Sequence, residues 1–203
     1  GCDDLTGEVP QEQTFAALSE VAATVLRVLY VRAWKRTARR LGKPLARSGK
    51  AVAMACFAGG KFGGAEISYG SDLDLFFVYG SEGQTRRRVP NKVFFSELVQ
   101  EVTRAMHGLY KVDARLRPDG RSAPLALSLG GYRSYLRQRA ADWERLALSR
   151  ARFVAGDTAL GAHVQRAIDR FIFARPVDAG FVDTAIEMRK RMEPAPDRDK
   201  PTK

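Results

Sequence analysis

The spacing of apolar residues predicts a long helix at the start of the chain. Between residues 11 and 41 apolar side chains recur every three or four positions, and Gly42 and Pro44 then end the pattern. The residues that carry this spacing are Leu18, Val21, Val25, Val28 and Leu29. The pattern is that of an amphipathic helix over residues 11–41.

Two short apolar runs in the centre of the chain predict strands. Residues 51–58 are small or apolar and indicate a buried strand that leads into a glycine-rich segment. Residues 72–79 indicate a second buried strand. Its apolar positions are Leu73, Leu75, Phe77 and Val78. Residues 80–91 are polar and predict a surface loop.

The second half of the chain predicts a further strand among helices. After the loop, one side of a helix is lined by Phe94, Phe95, Leu98, Val99, Val102 and Met106. Residues 110–116 predict a third strand, closed by the turn-forming residues 118–120. After Gly130 the pattern is helical to about residue 192, with breaks at 156–157 and 175–176.

These elements divide the chain into four parts. We predict a helical lead-in over residues 1–48, a catalytic core over 49–130 and a helical part over 131–193. Residues 194–203 are rich in proline and charge, and we expect them to be disordered.

Composition narrows the functional classes without choosing a partner. Cys2 and Cys56 are the only cysteines, which argues against a disulfide framework and favours the cytoplasm. Two histidines argue against a zinc cluster or a Ser-His-Asp triad. No apolar run approaches the roughly 20 residues that span a bilayer, so we predict no membrane association. The net charge of +11 suits nucleic acid, phosphorylated ligands or an acidic protein.

Asp72 and Asp74 are the most informative residues of the chain. On a strand, both side chains point to one face, roughly 7 Å apart along the chain. Two carboxylates at this distance repel each other unless a cation lies between them. Their oxygen atoms suit Mg²⁺ or Mn²⁺, which also bind phosphates.

The third strand adds a carboxylate and two arginines. Alternation places Lys111, Asp113, Arg115 and Arg117 on one face. If this strand lies beside the strand over residues 72–79, Asp113 becomes a third carboxylate at the same site. Three carboxylates can hold two divalent cations, and Arg115 and Arg117 can contact phosphate oxygens.

The glycine-rich segment before the aspartates suits phosphate binding. Gly59 and Gly60 allow backbone N–H groups to approach a phosphate closely. Lys61 can neutralise a phosphate, and Ser71 can bind a phosphate or hold the loop. Lys61 is not followed by Ser or Thr, which excludes a Walker A loop, and the glycine spacing does not match a dinucleotide-binding fingerprint.

Four motifs, occurring in order over about residues 50–192, resemble the signature of glutamine synthetase adenylyltransferases. They are residues 60–66 with 71–75, residues 110–120, residues 142–148, and residues 151–152 with 156–157. The resemblance implies an α+β fold of the DNA polymerase β-like nucleotidyltransferase type. In that fold, helices flank a small mixed sheet on both sides in the sequence.

The resemblance also implies an activity. Enzymes of this family carry two such domains: one transfers AMP from ATP to a tyrosine of glutamine synthetase, and the other removes it by phosphorolysis, releasing ADP. Residues 94–95, 122–125, 142–145 and 171–176 are similar to the adenylyl-removing half. Gly70 and Ser71 are nearer to the adenylylating half. We expect removal of AMP, with adenylylation as the alternative.

The roles of individual residues follow from the same resemblance. It makes Asp72, Asp74 and Asp113 the catalytic metal ligands for Mg²⁺ or Mn²⁺. Phosphate or nucleotide would be held by Gly60, Lys61, Gly63, Gly64 and Ser71, next to Gly59, with Arg115 and Arg117 shaping the pocket. A further motif, Trp143, Glu144 and Arg145, is expected to brace the following helix against the sheet.

The resemblance predicts glutamine synthetase as protein substrate and ATP, or ADP and phosphate, as small-molecule partners. The PII signalling protein is a further candidate partner. Two other interpretations stay open: an RNA-directed nucleotidyltransferase of the same fold, and a non-catalytic regulatory module that binds a nucleotide. Nucleic acid is not expected, because no basic groove with interleaved aromatic residues is evident.

Overall fold

The computed structural model describes residues 10–114, 124–174, 176 and 179–192. Its helices are α1 (Gln11–Leu41), α2 (Gly60–Gly63), α3 (Asn91–Met106), α4 (Leu129–Gln138), α5 (Asp142–Leu148), α6 (Thr158–Phe173) and α7 (Ala179–Met192). Its strands are β1 (Pro44–Ala46), β2 (Met54–Ala58), β3 (Leu73–Tyr79), β4 (Gly83–Thr85), β5 (Val112–Asp113), β6 (Leu127–Ser128) and β7 (Arg152–Gly156). The predicted tail over 194–203 and the turn over 118–120 lie outside the described residues.

Helix α1 has the predicted bounds, but its buried face differs from the predicted apolar stripe. It ends where Gly42, at φ +80°, donates its N–H to Ala38 O. The valines Val21 and Val28 are 55% and 54% exposed. The buried positions are Ser19, Ala22, Ala23, Leu26, Tyr30, Ala33 and Thr37. Several of these side chains are small, which allows α1 to lie close to α3 and β7.

Among the described residues, α1 is long and apolar enough to cross a membrane when judged by length and composition alone. This was not expected from the sequence. The finding is weak evidence, because core helices pass the same test. Ala22, Ala23 and Leu26 are at most 1% exposed and belong to the main core. The helix therefore does not by itself indicate a membrane protein.

The sheet is mixed, with the strand order β5-β3-β2-β7 and with β6 also paired to β3. Strand β2 runs antiparallel to both β3 and β7, whereas β5 and β6 run parallel to β3. Helices occur before, between and after these strands. The α+β class predicted from the sequence is confirmed.

Alternation along β3 creates one core on each face of the sheet. Leu73, Leu75, Phe77 and Tyr79 pack in the core that includes α1 and α3. Phe76 and Val78 pack in the second core, with residues of α4, α5 and α6. The predicted apolar side of α3 is confirmed, because all six of its predicted residues are fully buried. Asp74 alternates with the first set and therefore lies on the second face, at the start of β3.

Two predictions about local structure were wrong. Residues 80–91 were predicted to be a loop, yet β4 lies there and pairs antiparallel with β1. The segment after Gly130 was predicted to be helical, yet β7 supplies an edge strand of the sheet. Both strands are short and are stabilised by pairing with residues distant in sequence, so no local periodicity could reveal them.

Candidate active site

Asp74 and Asp113 face the same side of two adjacent strands. Strands β3 and β5 are parallel, and Asp74 is the register partner of Asp113. The N–H of Leu73 donates to Lys111 O at 2.8 Å, which holds this register. Neighbouring strands lie about 4.8 Å apart, so the two carboxylate-bearing positions are side by side. The condition on which Asp113 was assigned to the site, adjacency of these two strands, is met.

Asp72 lies one residue before β3 and contacts a lysine. The Lys111 Nζ atom is 2.9 Å from Asp72 Oδ2. The lysine side chain is 80% exposed, so this ion pair contributes little to stability, at most about 1 kcal/mol. Lys111 was not among the predicted site residues, although alternation had placed it on the face of Asp113. Its ammonium group partly neutralises the cluster of carboxylates.

The glycine-rich segment forms a single helical turn, α2, that packs directly on Asp74. The N–H of Gly59 donates to Asp74 O at 2.9 Å. Gly60 has φ +51°, and a Cβ atom built there would lie 2.1 Å from Asp74 Oδ2. Only glycine combines this backbone conformation with this close approach. Gly60 therefore allows the Asp74 carboxylate to sit against the turn.

Gly63 and Gly64 are explained by packing within the same turn. The N–H of Gly63 donates to Gly59 O at 2.7 Å, and that of Gly64 donates to Gly60 O at 3.2 Å. A Cβ atom on Gly63 would lie 1.9 Å from Arg150 O. Both N–H groups therefore already have backbone acceptors within the turn. The predicted role of these two glycines in binding phosphate stays a prediction. Lys61, on the same turn, is exposed.

Two arginines hold the glycine turn from the side of β7. The Arg152 side chain donates from Nε to Gly63 O at 3.1 Å and from Nη2 to Phe62 O at 3.0 Å. Arg150, next to β7, forms an ion pair with Glu66. Neither arginine was predicted as a site residue. Arg152 belongs to the motif at residues 151–152, which could have drawn attention to it. Its contact with the glycine turn follows only from the pairing of β7 with β2.

Ser71 fixes the loop before Asp72. Its Oγ atom accepts a hydrogen bond from Ser68 N–H at 3.0 Å and lies 3.1 Å from Ser68 Oγ. Its own N–H donates to Ser68 O at 3.1 Å. Of the two roles considered for Ser71, holding the loop is the one that these bonds serve.

Arg115 and Arg117 lie outside the described residues, so their predicted role in binding phosphate stays a prediction. All three residues of the bracing motif, Trp143, Glu144 and Arg145, are among the described residues. The Glu144 carboxylate accepts from Tyr135 Oη and from Ala141 N–H, and Arg145 donates to Ile172 O. These bonds join α5 to its neighbouring helices. Trp143, in contrast, is 48% exposed.

Cys56 is unsuited to nucleophilic catalysis. It lies in the centre of β2 and is completely buried. Burial raises the pKa of its thiol above the ordinary value, because a thiolate would be poorly solvated there. The thiol therefore stays neutral and serves packing.

The donor atoms near Asp74 fit a hard divalent cation only in part. Asp74 and Asp113 offer carboxylate oxygens from adjacent strands, the ligand type that Mg²⁺ and Mn²⁺ prefer. Asp72, in contrast, contacts Lys111. Within residues 10–114, 124–174, 176 and 179–192, no group of three or more His, Cys, Asp and Glu side chains is arranged to hold a metal. The Asp74–Asp113 pair is thus the part of the donor set that fits.

Comparison with known proteins assigns the chain to a family. The family described as glutamate-ammonia ligase adenylyltransferase matches residues 1–167. The chain belongs to the glutamate-ammonia ligase adenylyltransferase family. This confirms the resemblance derived from the four motifs, and the match includes Asp72, Asp74 and Asp113.

Several relatives in this family are named bifunctional glutamine synthetase adenylyltransferase/adenylyl-removing enzyme. The one from Shewanella frigidimarina is 38% identical over 167 residues, covering 77% of this chain and 18% of the relative. Those from Nitrosococcus oceani and Pseudomonas putida are 33% and 31% identical and cover 92% and 94% of this chain. The chain spans about a fifth of the length of these relatives.

Proposed function

We propose that this chain is a metal-dependent nucleotidyltransferase domain that removes AMP from an adenylylated tyrosine of glutamine synthetase by phosphorolysis. The observation that carries the proposal is the placement of Asp74 opposite Asp113, with Gly60 packed against the Asp74 carboxylate. Family membership and the names of the relatives support it. The motifs at residues 94–95 and 142–145 favour the adenylyl-removing half.

We further propose a DNA polymerase β-like arrangement of the sheet. Strand β2 leads into the glycine turn, Asp72 and Asp74 flank the first residue of β3, and β5 brings a further aspartate alongside. This order of turn, paired aspartates and later aspartate is the one that the resemblance implied. The helices on both faces of the sheet support the same interpretation.

Asp74 and Asp113, with Asp72, would hold Mg²⁺ or Mn²⁺. When bound, the cation supplies positive charge that offsets the charge of the phosphate groups. Gly59 fixes the Asp74 backbone through its hydrogen bond, and Gly60 keeps the space in front of the carboxylate free of a side chain. The turn therefore determines where Asp74 presents its oxygens.

In the proposed reaction an oxygen of inorganic phosphate attacks the α-phosphorus of the adenylylated tyrosine. A bond forms between this oxygen and phosphorus, and the bond between phosphorus and the tyrosine oxygen breaks. The tyrosine oxygen leaves with the electron pair and takes up a proton, and ADP is released. Lys61 and Lys111, both exposed near the aspartates, would orient anionic phosphate groups. Positioning and charge neutralisation would provide most of the rate enhancement.

Release of ADP from adenylylated glutamine synthetase, with phosphate and Mg²⁺, tests the proposal. We expect Asp72→Asn, Asp74→Asn and Asp113→Asn each to reduce the rate by at least about 100-fold, because each removes a negative charge from the site. Asp183→Asn, which changes an exposed carboxylate on α7, should retain the rate. Wild-type rates in all three site variants would contradict the assignment.

Adenylylation is the second candidate, favoured by the resemblance of Gly70 and Ser71 to the other half of the family enzyme. Incubation of the chain with labelled ATP and unmodified glutamine synthetase distinguishes the two directions. Incorporation of AMP without phosphate-dependent release of ADP would select adenylylation. ATP, ADP, phosphate and the PII protein are proposed partners, and the cytoplasm is the proposed location.

A further inference from the structure

A pocket of about 420 Å³ lies among α4, α5 and α6, separate from the proposed active site. The residues of its lining that matter here are Arg133, Arg137, Arg145, Arg170, Leu136 and Phe171. None of the predicted carboxylates or glycines lines it. The pocket is therefore a concave surface that the proposed reaction does not use.

The pocket concentrates positive charge. Four guanidinium groups and no acidic side chain line it. Arg133, Arg137 and Arg170 are exposed, and none of them forms an ion pair or hydrogen bond with another described residue. Like charges brought together favour binding of an anion, which relieves their repulsion. Planar guanidinium groups suit phosphate oxygens in particular.

One of the four guanidinium groups is buried and fixed in place. Arg145 is 4% exposed, and its Nε and Nη2 atoms donate to Ile172 O at 3.1 and 2.7 Å. Its guanidinium lies 4.4 Å from the centroid of the Phe181 ring. A buried charge held in one orientation provides a field that an incoming ligand meets without rearrangement. The pocket thus has a fixed basic floor and an exposed basic rim. The charge of the floor is offset in part by Asp142, whose Oδ1 atom lies 3.9 Å from Arg145 Nη1.

Apolar side chains complete the pocket and indicate the class of ligand. Leu136 comes from α4, and Phe171 comes from α6. A volume of about 420 Å³ lies in the range of small-molecule sites, which combine apolar walls with a few charged groups. We propose that this pocket binds a phosphorylated small molecule with an aromatic group, of about nucleotide size. Its phosphates would lie at the arginine rim and its ring against Phe171.

Titration calorimetry with ADP, pyrophosphate and adenosine in the presence of EDTA tests this proposal on the full chain. EDTA suppresses metal-dependent binding at Asp74. We expect ADP to bind more tightly than pyrophosphate, and adenosine to bind most weakly. Arg133→Gln with Arg137→Gln should weaken binding of ADP by at least about tenfold, because charge-assisted hydrogen bonds are lost. Phe171→Ala should weaken ADP but not pyrophosphate.

Two control variants test whether a loss of ADP affinity is specific to the pocket. Arg166→Gln removes an exposed arginine one turn before Arg170 and outside the pocket lining, and it should leave the affinity within about twofold. Asp74→Asn should also leave it unchanged. Thermal unfolding of every variant verifies that the fold is intact.

Three outcomes would overturn the proposal. Unchanged ADP affinity in the double arginine variant would exclude the pocket. Equal affinity for adenosine and ADP would exclude recognition of phosphate. Loss of EDTA-resistant binding in Asp74→Asn alone would assign the nucleotide to the first site. None of these outcomes bears on phosphorolysis, which is measured separately by ADP release with Mg²⁺ and phosphate.

Discussion

Two regions of this protein use arginine in different ways. Beside the glycine turn, Arg152 donates to two backbone carbonyls and Arg150 pairs with Glu66. Around the helical pocket, Arg133 and Arg170 form no hydrogen bond or ion pair with any described residue. The first region uses the Arg152 guanidinium to hold its own backbone, whereas the second uses only that of Arg145 in this way and leaves those of Arg133 and Arg170 exposed. Residue type alone therefore does not distinguish a structural arginine from a ligand-binding one.

The physical basis of this difference is the packing around each group. The glycine turn is so close to its neighbours that added side-chain atoms would overlap Asp74 or Arg150. Its carbonyl groups need donors once they are removed from water, and Arg152 supplies them. The helical pocket is open enough for solvent to satisfy its exposed arginines. Substitutions of glycines in and near the turn, and then of the arginines in both regions, test this difference.

The largest effect is expected from Gly63→Ala. Its Cβ atom would lie 1.9 Å from Arg150 O and 2.9 Å from Ala58 O, and both are backbone atoms. Relief of these overlaps requires the turn and β7 to separate, so we expect a loss of about 3 kcal/mol or more in the free energy of unfolding. Urea denaturation measures this change.

Gly130→Ala provides the matched control for the helical region. Gly130 lies inside α4, and apart from its chain neighbours and the nearby backbone of that helix no atom lies within 4 Å of its added Cβ. Alanine favours a helix, so the variant should be unchanged or stabilised by up to about 1 kcal/mol. Equal destabilisation by the two substitutions would show that the turn is not the more tightly packed region.

The next largest effect is expected from Gly60→Ala, which disturbs the contact between Gly60 and Asp74. Gly60→Ala and Gly70→Ala both place alanine at a positive φ, of +51° and +77°, so both should lose about 1–2 kcal/mol of stability. Only Gly60→Ala displaces the Asp74 carboxylate, because nothing lies within 4 Å of the added atom at Gly70. We expect nucleotidyl transfer to fall at least about tenfold further in Gly60→Ala. Paired measurements of activity and melting temperature determine the result, and equal activities would contradict it.

The smallest effects are expected from substituting the arginines, and they compare Arg152, which holds the glycine turn, with Arg170, which lines the pocket. Arg152→Met leaves Gly63 O and Phe62 O without their donor, and we expect a loss of about 1–2 kcal/mol in the free energy of unfolding. Arg170→Met removes an exposed side chain and should change stability by less than about 0.5 kcal/mol. Denaturation of both variants at the same salt concentration measures the difference. A loss at Arg170 equal to that at Arg152 would refute the distinction.

Local patterns were sufficient to find the segments that carry the candidate site residues. The glycine segment, the alternation through Asp72 and Asp74, and the later strand with Asp113 were all predicted. The structure shows that the two strands are neighbours and that Asp74 and Asp113 occupy the same register position. The contacts of Lys111 and Arg152 were missed, because side-chain contacts between separate elements depend on how those elements pack together.

For helix α1, the sequence predicted the ends correctly but not which residues are buried. The bounds of α1 were correct, because Gly42 and Pro44 interrupt a helix wherever it packs. Its buried face was wrong in part, because the small residues Ala22, Ala23 and Ala33 face the core while Val21 and Val28 face outward. Close approach of neighbouring elements favoured small side chains over larger apolar ones.

The sequence by itself determined the α+β class, the family and the order of the chemical groups along the chain. These properties depend on local periodicity, glycine positions and motif spacing. Tertiary structure decided that β7 joins the sheet, that Arg152 holds the glycine turn, and that arginines from three helices surround one pocket. Each of these depends on contacts between residues distant in sequence, whose free energy is gained only when the elements pack together.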